Sequence, residues 1–459
     1  MASTQPPDPI ADEGPRAPWS RSQRPFPRRV VQPLQSFLEE ETSSGILLLA
    51  AAAIALAWAN SPWRSTYEDL WRTVITIRLG DWVLSEDLRN WVNDALMALF
   101  FLVVGLEIKR ELLTGELRRP RAAAVPVIAA IGGMVLPALI YLLLNATGDG
   151  SRGWGIPMAT DIAFALGVLT LAARSAPPSM KPFLLTLAIV DDIGAILVIA
   201  LFYSDGVSVT ALLLAAGLVA SMVALQWLDV RAGVVYVGLG IAVWLAFFES
   251  GVHPTIAGVI LGAVTPSRPF QRPRTVSDEA NRTAEKTVDD PEPPDADAPQ
   301  WLRLASLTRE AVSPLARVEA ALHPWTSNVV VPVFAFANAG VALSADVLAD
   351  AATSTVTLGV ILGLVVGKIV GITSASAIAV RTGLGVLPAG CGWRHIVGVA
   401  AVAGIGFTVS LFVADLAFAD PTLTGHAKVG IFAASLLAGT AGVAVLRLGR
   451  SSRNSEASS

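Results

Sequence analysis

Charged residues are scarce in this chain of 459 residues: they make up 15% of it, whereas hydrophobic residues make up 53%. Soluble domains carry about 25% charged residues. A soluble globule this apolar would lack a polar surface, so the composition indicates a protein that crosses a membrane many times. The net charge is only −4, and no basic cluster is interleaved with aromatic residues, so we expect no nucleic-acid partner.

Cysteine and histidine are also rare. The single cysteine, Cys391, excludes an internal disulfide bond. The four histidines are scattered, and no Cys/His spacing typical of a transition-metal site is present. The chain lacks the Gly-x4-Gly-Lys-[Ser/Thr] motif of ATP-binding loops, which argues against an ATP-driven pump. We therefore expect no bound cofactor.

Apolar runs recur along the chain with short breaks, and they predict an all-α polytopic membrane protein with about twelve transmembrane helices. A tail at 1–30, which has no apolar core and is not a signal peptide, precedes helices 1–8 in 31–264. An insertion at 265–311 and a tail at 447–459 flank helices 9–12 in 312–446, and we predict disorder in both tails and the insertion. The twelve runs are 45–60, 91–108, 124–145, 157–173, 182–203, 208–227, 232–248, 253–265, 327–343, 356–380, 396–418 and 428–446.

Lysine and arginine residues near the ends of these runs are concentrated on one side of the predicted bundle. Loops rich in Lys and Arg stay in the cytoplasm, so we expect this side to be cytoplasmic. An even number of spans then places both termini in the cytoplasm.

An alternating segment, 73–84, surrounds Gly80-Asp81 on the predicted external side, and it predicts a β-hairpin. A hairpin that projects from a helical bundle offers an edge to a second copy, so it could form a dimer contact. A small exposed ribbon is the equal alternative. For the insertion, an inert linker is favoured over a regulatory segment.

Two aspartates, Asp191 and Asp192, lie side by side in an apolar run that is long enough to cross the hydrocarbon core. A charged side chain at mid-bilayer costs at least about 2.5–3.5 kcal/mol, so the pair indicates a cation or proton site. An inward-facing pair satisfied by other helices is the bland alternative. Adjacent helix residues point about 100° apart. We therefore expect one aspartate to face an ion path and the other to face a neighbouring helix.

A third acid, Asp161, follows Thr160 in a run that Pro157 and upstream glycines interrupt. A second break lies late in the chain at 404–408, GIGFT. Broken membrane helices are tolerated where they are buried in protein or line a cavity. If the two breaks cross, an acid would offset converging positive helix ends, and a base would offset negative ones.

Such a base is Lys368, which sits in the middle of an apolar run and is too deep to reach water. Its partner should be a core acid, such as Asp191, or the carbonyl end of a helix. A purely structural salt bridge is the alternative, and it is compatible with a role in transport.

Six segments of the chain, taken in order, resemble the bacterial NhaA sodium/proton antiporters, and the match runs from about Val31 to Arg447. Three features depart from the family pattern. They are the insertion, the long N-terminal tail and Ala320, a position at which well-studied members carry histidine. The six segments are WVNDALMALFFLVVGLEIKREL, AAIGGMVLPALIY, ATDIAFALGVL, LAIVDDIGAILVIALFY, LHPW…VPVFAFANAGV and AGIGFTVSLF.

The resemblance implies two inverted-topology repeats with a midplane site at two discontinuous helices. It also implies an electrogenic exchange of Na⁺ or Li⁺ for H⁺ across the lipid bilayer of a bacterial inner membrane. This exchange would serve pH and sodium homeostasis. A homodimer joined through the external hairpin is implied as well.

For individual residues, the resemblance implies that Asp192 is the main cation ligand and that Asp191 is the partner of Lys368. Both aspartates would bind Na⁺ and the exchanged protons, with Asp161 and Thr160 at the crossing. Asp94 would carry structural or functional weight. From spacing alone the charged residues at the cytoplasmic end of the second span are a solvated rim. The family instead implies pH activation by Glu107, Arg110, Glu111, His253 and Glu319.

Two other classes of function compete with antiport. A sodium-coupled symporter of an organic anion would need a wide polar cavity with side chains for the anion. An intramembrane aspartyl protease would carry Gly-x-Gly before an aspartate, but this chain has Ala159-Thr160 and Ile189-Val190 there, so we expect no enzyme. The sequence leaves open the ion preference, the activation pH, the stoichiometry and whether Lys368 carries a proton.

Overall fold

The computed structural model describes residues 41–172, 177–204, 206–288 and 298–456, and the predicted N-terminal tail lies outside them. The described chain is a bundle of α-helices with one small hairpin, as predicted. In the first half, the helices are α1 Glu41–Ala59, α2 Arg64–Trp71, α3 Leu88–Thr114, α4 Pro120–Leu144, the 3-10 helices Glu116–Arg118 and Asp149–Met158, α5 Ile162–Ala172, α6 Met180–Phe202, α7 Val209–Trp227, α8 Gly233–Phe248 and α9 Thr255–Val264.

The second half continues the bundle after two helices within the insertion. Its long helix Thr355–Arg381 contains a π-helical stretch, Gly363–Gly367, and α3 contains another, Val92–Leu96. The helices are α10 Pro273–Val288, α11 Ala298–Glu310, α12 Pro314–Trp325, a π-helical stretch Thr326–Val330, α13 Val331–Asn338, α14 Ala345–Thr353, α15 Thr355–Arg381, α16 Trp393–Val402, α17 Phe407–Ala417 and α18 Pro421–Glu456.

Each of the twelve predicted apolar runs falls on a helix or a broken helix of the described chain. Six of these helices are long and apolar enough to span a membrane, and three bent pairs raise the number to at most nine. Two of the pairs are the 3-10 helix with α5, bent by 45°, and α16 with α17, bent by 48°. The helix α4 has 25 residues, about 38 Å at 1.5 Å per residue, which exceeds the hydrocarbon core of about 30 Å.

The predicted hairpin is present. Strand β1, Val74–Leu79, pairs antiparallel with β2, Trp82–Asp87, and the register joins Leu79 to Trp82 across a two-residue turn. Gly80 has φ of +62° at this turn, a left-handed conformation that glycine adopts without steric cost.

Three expectations differ from the structure. The described parts of the insertion form α10 and α11, which pack against each other, whereas the sequence predicted disorder. In α10, Val276 and Thr283 are buried, so one face of a largely polar helix is covered. The helix α18 continues to Glu456 through the predicted C-terminal tail, because arginine favours helix and the tail has no proline.

The third difference is the predicted ninth span, 327–343. It is the end of a helical segment that already begins at Pro314. Its first turns carry Arg317, Glu319 and His323. These polar residues kept the segment out of the apolar run.

Glycines allow α4 and α15 to touch backbone to backbone. A Cβ atom on Gly371 would lie 2.2 Å from the carbonyl oxygen of Gly132, and one on Gly132 would lie 2.5 Å from the oxygen of Gly371. Small residues at helix contacts are typical of membrane bundles, in which van der Waals packing drives association. This contact positions Lys368, one turn before Gly371, against the rest of the core.

We expect Gly371→Ala to destabilise the protein by about 1–3 kcal/mol, since the added methyl group must push two backbones apart. Thermal unfolding in detergent measures the loss. The matched control is Gly217→Ala in α7, where a Cβ atom would meet nothing within 4 Å. Equal melting temperatures of the two variants would contradict the proposed close contact.

Candidate ion-binding site

Two broken helices meet in the middle of the bundle. The first break, 159–161, separates the 3-10 helix from α5, and the second, 403–406, separates α16 from α17. The amide of Asp161 donates a hydrogen bond of 2.7 Å to the carbonyl of Ile405. The breaks therefore lie against each other, and four helix ends point at one small region.

Asp161 serves the starts of two of these helices. Its Oδ1 accepts a hydrogen bond from the amide of Phe164 at 3.1 Å, in the first turn of α5. Its Oδ2 accepts from the amide of Thr408 at 3.1 Å and from the Thr408 hydroxyl at 2.7 Å, in the first turn of α17. Helix starts carry partial positive charge, so one buried carboxylate compensates two of them.

Lys368 lies at the carboxyl end of a helix, where the partial charge is negative. Its side chain is fully buried, and Nζ lies 2.5 Å from Oδ2 of Asp191 and 3.1 Å from Oγ1 of Thr160. It also donates to the carbonyl of Met158, the last residue of the 3-10 helix. An ammonium group has three protons, and here each proton has an oxygen acceptor. Lys368 thus contacts both kinds of partner that the sequence left open, the core acid Asp191 and the carbonyl end of a helix.

Thr160 connects this lysine to the second broken helix. Its Oγ1 lies 2.6 Å from Oδ2 of Asp191 and 2.8 Å from the carbonyl oxygen of Ala403, just after α16 ends. A hydroxyl has one proton, so Thr160 donates to one of these acceptors at a time while it accepts from Lys368.

Asp192 is the acid of the pair that no lysine contacts in the described part of the chain. It is buried on α6 beside Asp191, and among the described residues its Oδ1 atom has no hydrogen-bond donor. The second oxygen of Asp191 is likewise buried without a donor. The 100° offset of adjacent helix residues thus separates an aspartate held by a lysine from one with free acceptor capacity.

Two cavities enter the bundle from its two ends. The hairpin-side cavity, of about 1050 Å³, has Asp94, His253, Asp415 and Lys428 among its lining residues. The basic-side cavity, of about 430 Å³, is lined by Glu111, Thr186, Arg118 and Arg119 together with Glu116, Leu185 and others. Neither cavity has Asp191 or Asp192 in its lining, so both aspartates lie beyond the described cavities.

The residues assigned to pH activation do not form one cluster. Arg110 contacts Glu319 at 2.8 Å, and Glu107 lies one turn before Arg110. Glu111 accepts hydrogen bonds from the Thr186 hydroxyl at 3.2 Å and from the Glu116 amide at 2.8 Å. These four assigned residues share the basic side.

His253 lies at the other end. Its Nδ1 is 3.6 Å from Oδ1 of Asp94, and its ring stacks on Phe412 at 5.5 Å. On α3, Asp94 is 13 residues before Glu107, which is about 20 Å along the helix axis. His253 and Asp94 therefore form a separate hairpin-side pair.

Sequence reasoning missed several atoms of the site. Two of these atoms are the backbone carbonyl oxygens of Met158 and Ala403. Every residue type has a backbone carbonyl, so no side-chain pattern predicts them. Thr408 had a signal, because a hydroxyl residue two positions after a Gly-x-Gly break lies in the first turn of the following helix. Thr186 had none, since its partner Glu111 is 75 positions away.

The fold and the site define a class: a polytopic membrane protein with ionisable groups buried at the crossing of two broken helices, as in ion-coupled transporters. The family model described as Na⁺/H⁺ antiporter 1 matches residues 35–446. The chain belongs to this family, which agrees with the resemblance seen in the sequence. It is therefore a transporter of Na⁺ and H⁺ rather than an enzyme.

Relatives support the same assignment over nearly the whole chain. The Na(+)/H(+) antiporter NhaA 2 of Sorangium cellulosum is 46% identical over 95% of this chain and 93% of its own length. NhaA 2 of Myxococcus xanthus is 46% identical over 98% and 95%. The solved sodium proton antiporter MjNhaP1 from Methanocaldococcus jannaschii at pH 8 covers 91% of this chain and 97% of its own, with 13% identity and a TM-score of 0.49. The family match and the relatives carry the assignment.

Substitutions at Asp161 should reveal its double role. We expect Asp161→Asn, which keeps an acceptor oxygen but removes the charge, to lose about 1–2 kcal/mol, and Asp161→Ala, which removes both, to lose more. Thermal unfolding in detergent would show the order wild type, Asn, Ala. An Ala variant as stable as the wild type would contradict compensation of the two helix starts by this carboxylate.

Proposed function

We propose that the chain is a secondary active, electrogenic antiporter that exports Na⁺, or Li⁺, in exchange for protons. Its cation and proton carriers would be Asp192 and Asp191, with Thr160 and Asp161 at the crossing. The observation that carries the proposal is the contrast between the two neighbours: Lys368 and Thr160 hold one oxygen of Asp191, whereas among the described residues neither contacts Asp192, whose buried Oδ1 has no donor. No cofactor enters the cycle.

The exchange follows from the cost of burying a charge. An ionised carboxylate without a partner in an apolar interior is strongly unfavourable. Asp192 therefore holds either a proton or a hard cation, for which carboxylate oxygens are suitable ligands. Loss of the proton favours uptake of the cation, and loss of the cation favours uptake of a proton. One site used alternately by both ions gives antiport without a second pathway.

Lys368 and Asp191 together provide a second proton site. While its ammonium faces Asp191, the pair is neutral as a unit. If a cation draws the Asp191 carboxylate away, the buried ammonium loses an anionic partner, and release of its proton becomes favourable. Two protons would then exchange for one Na⁺, one net charge would move per cycle, and a potential of 100 mV would contribute about 2.3 kcal/mol.

Orientation follows from the two cavities. Arg118 and Arg119 line the basic-side cavity, and loops rich in Lys and Arg remain cytoplasmic. We therefore assign the basic-side cavity to the cytoplasm of a bacterial cell, the hairpin-side cavity to the outside of its inner membrane, and both termini to the cytoplasm. Thr186 in the cytoplasmic cavity precedes Asp192 by six residues, about 9 Å along α6.

A homodimer completes the proposal. The hairpin has two strands in one chain, so it presents unpaired edges. Several of its apolar side chains are exposed, including Val74 at 60% and Val83 at 46%. Pairing with the hairpin of a second copy would cover both features.

Symport of an organic anion is less well supported. An anion needs donors in a wide polar cavity, and neither described cavity includes the aspartate pair. Lys368, the base at the described crossing, already donates to three oxygens. No proton of this ammonium remains for an anionic substrate.

Replacing Asp192 by Asn should abolish exchange while the protein still inserts and unfolds cooperatively, because the amide can neither release a proton nor neutralise a cation. Na⁺-driven proton flux in inverted vesicles measures the effect. Asp191→Asn should also abolish Na⁺-driven flux. In the wild type, the apparent Na⁺ affinity should weaken as pH falls, because protons compete for the same carboxylates.

The control is Asp149→Asn, which removes one exposed carboxylate that lies outside both cavity linings and should transport normally. Normal Na⁺-driven flux in Asp192→Asn would show that the site lies elsewhere.

Lys368→Ala separates two roles of the lysine. If it carries a proton, exchange in the variant should become closer to electroneutral, with less charge moved per Na⁺. Charge movement on a solid-supported membrane, compared with proton flux in the same preparation, measures this ratio. A purely structural lysine would give a lower melting temperature with an unchanged ratio. A wild type that exchanges ions over about pH 6–9 without current would contradict unequal stoichiometry.

A further inference from the structure

A buried ion pair lies in the wall of the hairpin-side cavity, away from the crossing. Lys428 of α18 contacts Asp415 of α17, with 2.7 Å between Nζ and Oδ1. The lysine side chain is only 8% exposed and the aspartate side chain 16%. Both residues line the cavity. None of the contacts at the crossing involves them.

The pair is connected to the crossing by a single helix. Helix α17 begins at the crossing, where Thr408 donates to Asp161. Asp415 follows Thr408 by seven residues, which is two turns and about 10 Å along the helix axis. An ion that moves between the crossing and this cavity therefore passes within electrostatic range of the pair.

Lys428 contacts only one of the two carboxylate oxygens of Asp415. Its Oδ2 atom is buried and has no hydrogen-bond donor among the described residues. A buried ion pair that serves stability alone needs its remaining lone pairs satisfied, since desolvation otherwise exceeds the attraction. The unused oxygen leaves Asp415 with acceptor capacity for a passing cation or proton.

The cavity around the pair is strongly acidic. Its lining contains one lysine, Lys428, and one arginine, Arg89. A cavity lined by one sign of charge raises the local concentration of the opposite ion, so Lys428 opposes a field that otherwise draws cations inward. The acidic lining residues are Glu68, Glu86, Asp87, Asp94, Asp350 and Asp415.

We propose that Asp415 and Lys428 form an electrostatic gate that sets the apparent affinity for cations exchanged on the hairpin side. Asp415 attracts the cation, and Lys428 holds Asp415 and opposes cation entry. The proposal rests on the antiport function proposed above. It assigns the pair a side-specific effect on affinity, whereas Asp191 and Asp192 would act on exchange from both sides.

The test compares three variants: Asp415→Asn, Lys428→Met and the neutral double variant. The half-saturating Na⁺ concentration is measured for each face separately, in right-side-out and inverted vesicles. On the hairpin side, Asp415→Asn should raise it and Lys428→Met should lower it. Each shift should be about 2- to 15-fold, as expected for a cation in the hairpin-side cavity about 10 Å from one unit charge, between bulk-water and protein-surface dielectric constants. The double variant should lie near the wild type.

On the basic side, all three variants should match the wild type. The control Asp149→Asn removes one exposed carboxylate outside the cavity lining and should shift neither side. Shifts of the same sign in both single variants, or equal shifts on the two faces, would overturn the gate and leave a structural pair. If a single variant fails to fold, the neutral double variant together with the other single variant still decides the sign. A wild type without Na⁺/H⁺ exchange would overturn the antiport function itself, which is a different result.

Discussion

The compensation of charge at the crossing is the constraint on which the rest of the structure depends. In hydrocarbon no water satisfies the free ends of a broken helix, and here two helices break at one place. Asp161 meets two helix starts, and Lys368 meets the carbonyl end of the 3-10 helix. Without these opposite charges, three of the four ends would leave unpaired backbone groups and partial charges in the core, while the end of α16 is met by the Thr160 hydroxyl. The breaks, the buried acids and the buried base are therefore parts of one arrangement.

Close packing maintains this arrangement. A Cβ atom on Gly404 would lie 2.4 Å from the carbonyl oxygen of Leu364, and one on Gly406 would lie 2.3 Å from Oγ of Ser410. The second break thus needs glycine for close approach. Leu364 and Lys368 both belong to α15. The close contact between Gly404 and Leu364 therefore fixes the position of the second break and also the position of Lys368 within the bundle. Backbone packing and electrostatics depend on the same few residues.

The sequence predicted those features whose signal is local. Pro157 and the Gly-x-Gly at 404–406 marked the breaks, and the depth of Lys368 in an apolar run implied a buried partner. The alternation around Gly80 predicted the hairpin and its turn. Contacts between side chains that leave no local signal in the sequence were not predictable. Asp415 and Lys428 belong to different helices, and His253 meets Asp94 of α3 from the loop that precedes α9. The helices of the insertion were missed because its polar composition resembles that of a disordered linker.

The two aspartates have different contacts because they are neighbours on one helix. Asp191 is bound from two directions, by α15 through Lys368 and by the first break through Thr160. Asp192, turned by about 100°, has no such contact within the ranges that the structure describes. A cation that engages both carboxylates must weaken the hold of Lys368 on Asp191, because the lysine and the cation compete for the same charge. Binding at the proposed site would thereby be coupled to a contact between α6 and α15. A single isolated carboxylate could bind the same ion, but it would leave the contact between these helices unchanged.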